Sequence, residues 1–250
     1  MNTTENFDLT IIVPVYNEED NIDALNKKLC NYISIASCKT CVLFINDGSK
    51  DNSEKGIKKI CDKNNSFFYA TFEKNAGLST AIKAGIDIAQ SKYIGYIDAD
   101  LQTDPDEFNE LLKYAKEYPL VMGIRANRKD SAFKKFQSKV ANGFRRKMTN
   151  DGASDTGCPL KIMQSNYAKR IPFFNGMHRF LPALVILQDG GKYKEIPVHH
   201  FPRTAGVSKY NIWNRLIGPF KDCFAYRWMK KRYINYHITD NNIDIRGYRG

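Results

Sequence analysis

Two carboxylates one residue apart, Asp98 and Asp100, close an apolar run in YIGYIDADLQTDPDEF, Tyr93 to Phe108. Alternation along an extended chain puts both on the same side of the backbone, and a strand leading into them delivers the pair to a sheet edge. There a divalent cation with hard oxygen ligands would bridge them to a diphosphate. The same residues also fit a solvated acidic turn before a helix, with Asp104 as N-cap and Pro105 in the first turn. An acidic triplet of this length does not choose between the two by itself.

The elements that must position the pair alternate through the first half of the chain. Leu9 to Val15 and Cys41 to Ile45 have the composition of buried strands, and Phe67 to Phe72 and Tyr93 to Ile97 follow as a third and fourth. Between them Asn21 to Ile35, with Ile22, Leu25, Leu29 and Ile33 at helical spacing, Ser53 to Cys61 and Leu78 to Ala89 are expected helices, and Pro105 to Glu117 comes after the carboxylates. Strands separated by helices imply a parallel sheet with right-handed crossovers, whose ligands bind beyond the carboxyl ends of the strands. Each early strand ends in a polar cluster: Tyr16-Asn17-Glu18, Asn46-Asp47-Gly48-Ser49, Lys74-Asn75-Ala76-Gly77 and Asp98-Ala99-Asp100. Any one of these is ordinary turn chemistry, but four of them meeting along one edge make a site. The second half is less periodic. It is expected to contain a basic helix over Lys134 to Met148, strands at Cys158 to Met163 and Glu195 to His199, a helix from His178 to Leu187 and a loop over Phe201 to Tyr210.

The 250 residues carry a formal net charge of +11, unevenly spread. Residues 125–150 hold nine Lys and Arg against one Asp, and residues 201–250 hold ten against three, so the rest of the chain is net acidic. Basicity confined to two segments suits phosphate-rich ligands or an anionic membrane surface. Nucleic acid is disfavoured, because no binding signature appears and the acidic pair would repel its backbone. No run approaches the ~18 to 20 apolar residues of a membrane span, and Met1 to Leu9 lacks signal-peptide character, so a cytosolic location is expected. The six cysteines are then expected to be reduced thiols, since the Cys38 and Cys41 pair has no partner pair at zinc spacing.

Taken together, IIVPVYNEEDNI (Ile11 to Ile22), INDGSKDNS (Ile45 to Ser53), KNAGLSTAIKAGI (Lys74 to Ile86), YIGYIDADLQTDP (Tyr93 to Pro105), GIRANRKD (Gly123 to Asp130), DTGCPLKIM (Asp155 to Met163), MHRFLPAL (Met177 to Leu184) and HHFPRTAGVSKY (His199 to Tyr210) resemble family 2 glycosyltransferases. The likeness is greatest to the branch of dolichyl-phosphate mannose synthase and bacterial polyprenyl-phosphate glycosyltransferases. The resemblance implies an α/β GT-A fold, Rossmann-like, with a mostly parallel sheet flanked by helices over residues 1–210; apolar spacing and clustered charge predict a C-terminal amphipathic basic helical segment over 211–250.

The resemblance also assigns roles. Pro14, Tyr16, Glu18 and Asp47 match positions that hold base and ribose, with Asn75 and Gly77 nearby. Asp98 approaches the nucleotide or metal, and Asp100 and Gln102 match ligands of Mg²⁺ or Mn²⁺. Arg125, Arg145 or its neighbour Arg146, Arg203 and Lys209 match positions that bind diphosphate or acceptor phosphate. Asp155 stands where relatives with saccharide acceptors carry a catalytic carboxylate; sugar or acceptor positioning, general base and strand-turn cap remain open for it. His178 with Arg179 is a further candidate to contact the acceptor, with a structural role for a helix-start histidine as the alternative, while His199 and His200 have no metal-ligand pattern. The implied partners are a nucleotide sugar and a polyprenyl phosphate or other lipid-linked acceptor at the inner face of the cytoplasmic membrane. A saccharide or glycolipid hydroxyl as acceptor is an alternative, and so is a non-catalytic nucleotide-sugar-binding protein.

Many such relatives append transmembrane helices, and this sequence contains none. The loop Arg203 to Lys209 is expected to order on phosphate, and Ile212 to Tyr233 to lie in a lipid interface or dock on the domain, with Gly218-Pro219 kinking or dividing it.

Overall fold

The computed structural model describes residues 3–125, 143–202 and 212–235, with side chains of the last helix from residue 218 onward. Its order is β1 (Leu9–Val15), α1 (Glu19–Ile35), β2 (Thr40–Asn46), α2 (Ser53–Cys61), β3 (Phe67–Thr71), α3 (Leu78–Ile88), β4 (Tyr93–Tyr96), α4 (Phe108–Ala115) and β5 (Leu120–Arg125). Then come α5, described over 143–149, β6 (Lys161–Gln164), α6 (Ser165–Lys169), α7 (Leu181–Ile186), β7 (Tyr193–Val198) and α8 (Ile212–Lys230).

One seven-stranded sheet runs β3-β2-β1-β4-β6-β5-β7. β1 is parallel to β2 and β4, β2 to β3, and β5 to β7, whereas β6 is antiparallel to both its neighbours. The expected α/β fold with a mostly parallel sheet is therefore present. Both faces of β1 and β2 are covered, which is why these strands are continuous apolar runs. Leu9, Ile11 and Val13 point into a core with Leu25, Leu29, Phe44, Phe108 and Leu111. Ile12 points the other way, into a second core with Ile82, Ile86, Met122, Leu184, Cys223 and Tyr226. On α1 the predicted Ile22, Leu25 and Leu29 are buried, and Tyr32, one residue before the predicted Ile33, completes the stripe.

Several boundaries differ from those expected. β5 and α6 were not foreseen. LVMGIR is a six-residue run with an internal glycine, and it becomes a strand by insertion between β6 and β7. At Gly123 a Cβ would sit 2.7 Å from Val198 Cγ2 and 2.9 Å from Cys158 Sγ, so the close contact requires glycine. The helix expected over Pro105 to Glu117 is a 3₁₀ turn, Pro105–Glu107, followed by α4, and the one over His178 to Leu187 is likewise a 3₁₀ turn before α7. The helix α8 is not divided at Gly218-Pro219 but assigned as one helix through Pro219. Cys223 and Tyr226 anchor the turns that follow on the second core. Of the expected Lys134 to Met148 helix, residues 143–148 are helical and the remainder lies outside the described residues.

The topology explains why the second half matters to the site. The carboxyl ends of β1 to β5 and β7 lie along one edge, and because β6 is reversed, its first residue, Lys161, lies there too, opposite Tyr96. Polar residues from both halves of the sequence therefore converge at one border of the sheet.

Candidate active site

The first three loops are stitched together by their own side chains. Asn17 N–H donates to Ser49 Oγ at 3.0 Å, Lys50 N–H to Asn17 Oδ1 at 2.7 Å, and Glu18 N–H to Ser53 Oγ at 2.8 Å. Glu18 Oε2 accepts from Asn21 Nδ2 at 2.7 Å. Asp47, buried, takes Ala76 N–H at 2.7 Å on one oxygen, and on the other Gly77 N–H and Asn75 Nδ2, both at 2.9 Å. The approach is so close that a Cβ on Gly48, which sits at φ +64°, would lie 2.5 Å from the Lys74 carbonyl carbon. Pro14 and Tyr16 are half-buried at the end of β1, beside this assembly.

The acidic loop differs from its expected form. The strand ends at Tyr96, so Asp98 and Asp100 do not alternate on an extended chain; they lie in a turn. Leu101 closes this turn at φ +60°, an unfavourable conformation for leucine that holds its side chain in the first core. Asp98 is half-buried, and its Oδ1 accepts the Tyr96 hydroxyl at 2.5 Å. Asp100 is 8 % exposed and takes Gln102 N–H at 3.2 Å. Gln102 in turn meets the chain after β7: Phe201 N–H donates to its carbonyl at 2.9 Å, and Gln102 Nε2 donates to Phe201 O at 3.4 Å. The capping proposed for Asp104 and Pro105 is also present, with Asp104 accepting Asp106 N–H at 3.2 Å. The candidate carboxylates and the turn chemistry thus share one segment.

Across the edge, Asp155 and Arg125 form a bidentate pair, Nε to Oδ2 and Nη2 to Oδ1, each at 2.8 Å. The carboxylate also accepts Arg125 N–H at 3.2 Å and Gly157 N–H at 3.1 Å. Burial resists ionisation of Asp155, but the hydrogen bonds and charge of Arg125 outweigh it and hold the carboxyl at about 2. Arg145 is not presented to a ligand in this structure. It is buried, bound to Asp151 and donating to Ala153 O at 2.6 Å, while Arg146 is exposed. His178 Nδ1 lies 2.6 Å from Ser79 Oγ, which accepts Gly176 N–H at 3.0 Å. Burial and the nearby cations Arg179 and Lys161 keep His178 neutral, at about 3. Arg203 and Lys209 lie outside the described residues.

A model of the family described as Glycosyl transferase family 2 matches residues 10–172. The chain belongs to glycosyl transferase family 2. Among relatives, it is 30 % identical over 213 residues to dodecaprenyl-phosphate galacturonate synthase of Rhizobium johnstonii, covering 83 % of this chain and 63 % of the relative. It is 31 % identical over 211 residues to undecaprenyl-phosphate 4-deoxy-4-formamido-L-arabinose transferase of Edwardsiella ictaluri, covering 82 % and 63 %. The chain thus spans somewhat less than two thirds of the length of these curated relatives. Among solved structures, glucosyl-3-phosphoglycerate synthase of Mycobacterium tuberculosis, with Mn²⁺, UDP and glucosyl-3-phosphoglycerate, superposes with a TM-score of 0.67 at 11 % identity, over 90 % of this chain and 80 % of that one. The mannosyltransferase PcManGT of Pyrobaculum calidifontis, with GDP-Man and Mn²⁺, gives 0.60 at 16 % identity over 90 % and 70 %. The GT-A architecture of this family 2 member follows from these likenesses.

The donor set suits a hard divalent ion. Asp98, Asp100 and the Gln102 side-chain carbonyl carry the oxygen ligands that Mg²⁺ and Mn²⁺ take. Among the described residues no group of three or more His, Cys, Asp or Glu is placed to hold a metal ion. Sequence reasoning missed three residues in or beside this candidate site: Tyr96, bonded to Asp98, Ser79, bonded to His178, and Lys161. The last carried a signal, since a lysine inside the apolar run CPLKIM is out of place on a buried strand.

Proposed function

We propose that this domain catalyses inverting transfer of a hexose from a UDP- or GDP-linked donor to a polyprenyl phosphate at the cytoplasmic face of a membrane. Residues 1–210 carry the chemistry and 211–250 the approach to lipid. Kinship with transferases named for polyprenyl phosphates supports the acceptor class. The observation that carries the reading is the Arg125–Asp155 pair. A hydroxyl acceptor must lose a proton as it attacks, which calls for a base with a pKa near neutrality. Asp155, held at about 2 with both oxygens engaged, is a poor one. A lipid phosphate is already an anion and needs only placement and positive charge.

In this reading an oxygen of the acceptor phosphate attacks C1 of the sugar while the bond from C1 to the nucleoside diphosphate breaks on the opposite face. Asp47, Asn75 and Gly77 shape the loop against which the nucleoside rests, with Pro14, Tyr16 and Glu18 beside it. Asp98, Asp100 and Gln102 would hold Mg²⁺ or Mn²⁺, whose bound charge neutralises the leaving diphosphate. Arg125, braced by Asp155, adds positive charge, joined by Arg203, Lys209 and, in place of Arg145, the exposed Arg146. The test is a panel of nucleotide sugars assayed for metal-dependent release of nucleoside diphosphate, with and without polyprenyl phosphate. Release stimulated by the lipid is expected; stimulation by a saccharide alone would move the acceptor to a hydroxyl.

The geometry of α8 supports the approach to lipid. Its apolar residues divide between two faces. Cys223 and Tyr226 are buried in the second core, while Phe220, Phe224 and Trp228, at successive helical turns, are 50 %, 52 % and 62 % exposed. Lys221, Arg227, Lys230, Lys231 and Arg232 are exposed around them, and the Arg232 guanidinium lies 4.9 Å over the Trp228 ring. Docking and membrane contact, which looked like alternatives in the sequence, use different residues of one helix. Among the described residues no helix is long and apolar enough to cross a membrane, so contact through aromatic rings and cations is the proposed mode. Replacing Lys230, Lys231 and Arg232 with Glu is expected to release the protein from anionic vesicles in co-sedimentation at low salt, while transfer to a short water-soluble acceptor persists. Wild-type protein that ignores such vesicles would defeat the membrane contact without touching the assignment of the site.

A further inference from the structure

Lys161 is 2 % exposed, the first residue of β6 and the register partner of Tyr96. A lysine is rarely this deep unless its charge is compensated. Here the ammonium donates to Thr156 O at 3.4 Å and to Cys158 O, and lies 5.7 Å from the centre of the Tyr96 ring. Two carbonyls and a ring face account for an ammonium's three donors. Each contact leads to a different side of the site. Thr156 and Cys158 flank Gly157, whose N–H binds Asp155. Tyr96 donates its hydroxyl to Asp98.

We propose that Lys161 is the positioning residue that couples the two carboxylate loops: from beneath the sheet edge it fixes the turn carrying Asp155 and the ring supporting Asp98 in one mutual arrangement. It touches neither donor nor acceptor. This rests on the reading of Asp98 and Asp155 as site residues. An apolar side chain of the same length would fill the space but leave the Thr156 and Cys158 carbonyls without their donor. The turn would then settle independently of Tyr96, and the distance between the Arg125–Asp155 pair and the acidic loop would no longer be set. A misplacement of about 1 Å at such a site costs on the order of a hundredfold in rate.

The experiment is a double-mutant cycle of Lys161→Met and Tyr96→Phe. It is read by kcat and KM for the donor, by affinity for nucleoside diphosphate with Mn²⁺ in calorimetry, and by thermal unfolding. Leu184→Ala, a core truncation in the second core, serves as a destabilised control. Lys161→Met is expected to lower kcat about thirtyfold or more with KM changed less than about threefold, whereas Leu184→Ala lowers Tm with kcat unchanged. The effect of Tyr96→Phe is expected to shrink in the Lys161→Met background, because both changes cut the same link. If Lys161→Met does not fold, the cycle is run with Lys161→Gln, which removes the charge over the Tyr96 ring and is too short to reach both carbonyls, and the same shrinkage is expected. Additive effects, or a folded Lys161→Met with kcat within twofold of wild type, would overturn the inference. Wild-type protein that binds no nucleotide and turns over no nucleotide sugar would instead overturn the reading of the site.

Discussion

Asp100→Ala is expected to reduce transfer by a thousandfold or more while the protein remains folded. A thousandfold is about 4 kcal/mol in the barrier, the scale reached when a group stabilising the leaving charge is removed. Asp100 is more buried than a strand-edge residue would be, so the substitution is not silent for stability. Its carboxylate accepts Gln102 N–H, and loss of such a bond costs about 1 kcal/mol, a shift of a few degrees in Tm for a chain of this size. The two effects differ enough in size to be separated by measuring kcat and thermal unfolding on the same preparation. Calorimetry adds a readout independent of turnover: the Mn²⁺-dependent part of nucleoside diphosphate affinity should disappear, leaving the metal-independent part. A variant that keeps metal-dependent activity near wild type would remove Asp100 from the site.

The first half of the sequence was legible because its strands are buried on both faces. LTIIVPV and CVLFI are short, branched apolar runs that suit sheet interior, the second extending by one residue at each end in the structure, the helix Ser53–Cys61 falls where its pattern placed it, and parallel pairing then brings four polar strand ends to one edge. What stayed hidden depended on contacts between distant segments. β5 becomes a strand only between β6 and β7. The turn at Leu101 uses a left-handed backbone that nothing in a leucine announces. A run of three basic residues, Arg145-Arg146-Lys147, does not reveal that the first faces inward until Asp151 and the Ala153 carbonyl are seen beside it. Asp155 was named as a candidate carboxylate, but its pairing was not foreseen, because Arg125 lies 30 residues away in sequence and belongs to the strand that was missed. For the same reason α8 gave two readings: the docked face is carried by Cys223 and Tyr226, which its apolar stripe did not include, while Phe220, Phe224 and Trp228 of that stripe are exposed.

The Arg125–Asp155 pair takes Asp155 out of the pH range in which transfer is expected to vary. Arg125 lowers the folded pKa of Asp155 to about 2 from roughly 3.9 in the unfolded chain. A depressed carboxylate stabilises the fold above its unfolded value, and that contribution is lost only as pH falls through about 2. Between pH 5 and 9 neither Asp155 nor His178, at about 3, changes charge. The lipid phosphate of the proposed reaction does, with a second ionisation at about 6. kcat/KM is therefore expected to rise through one acid limb near pH 6 that belongs to the substrate and then level off. Asp155→Asn makes the distinction. It breaks the bidentate pair, which is expected to cost about 2 to 3 kcal/mol of stability, and it loosens Arg125, lowering the plateau by about a hundredfold. The acid limb should stay where it is, because its ionisation is not in the protein. A limb that moves or vanishes in Asp155→Asn would make Asp155 the base and the acceptor a hydroxyl. The comparison needs only one substitution and a series of buffers, and it discriminates because the two mechanisms place the titrating group on opposite sides of the reaction.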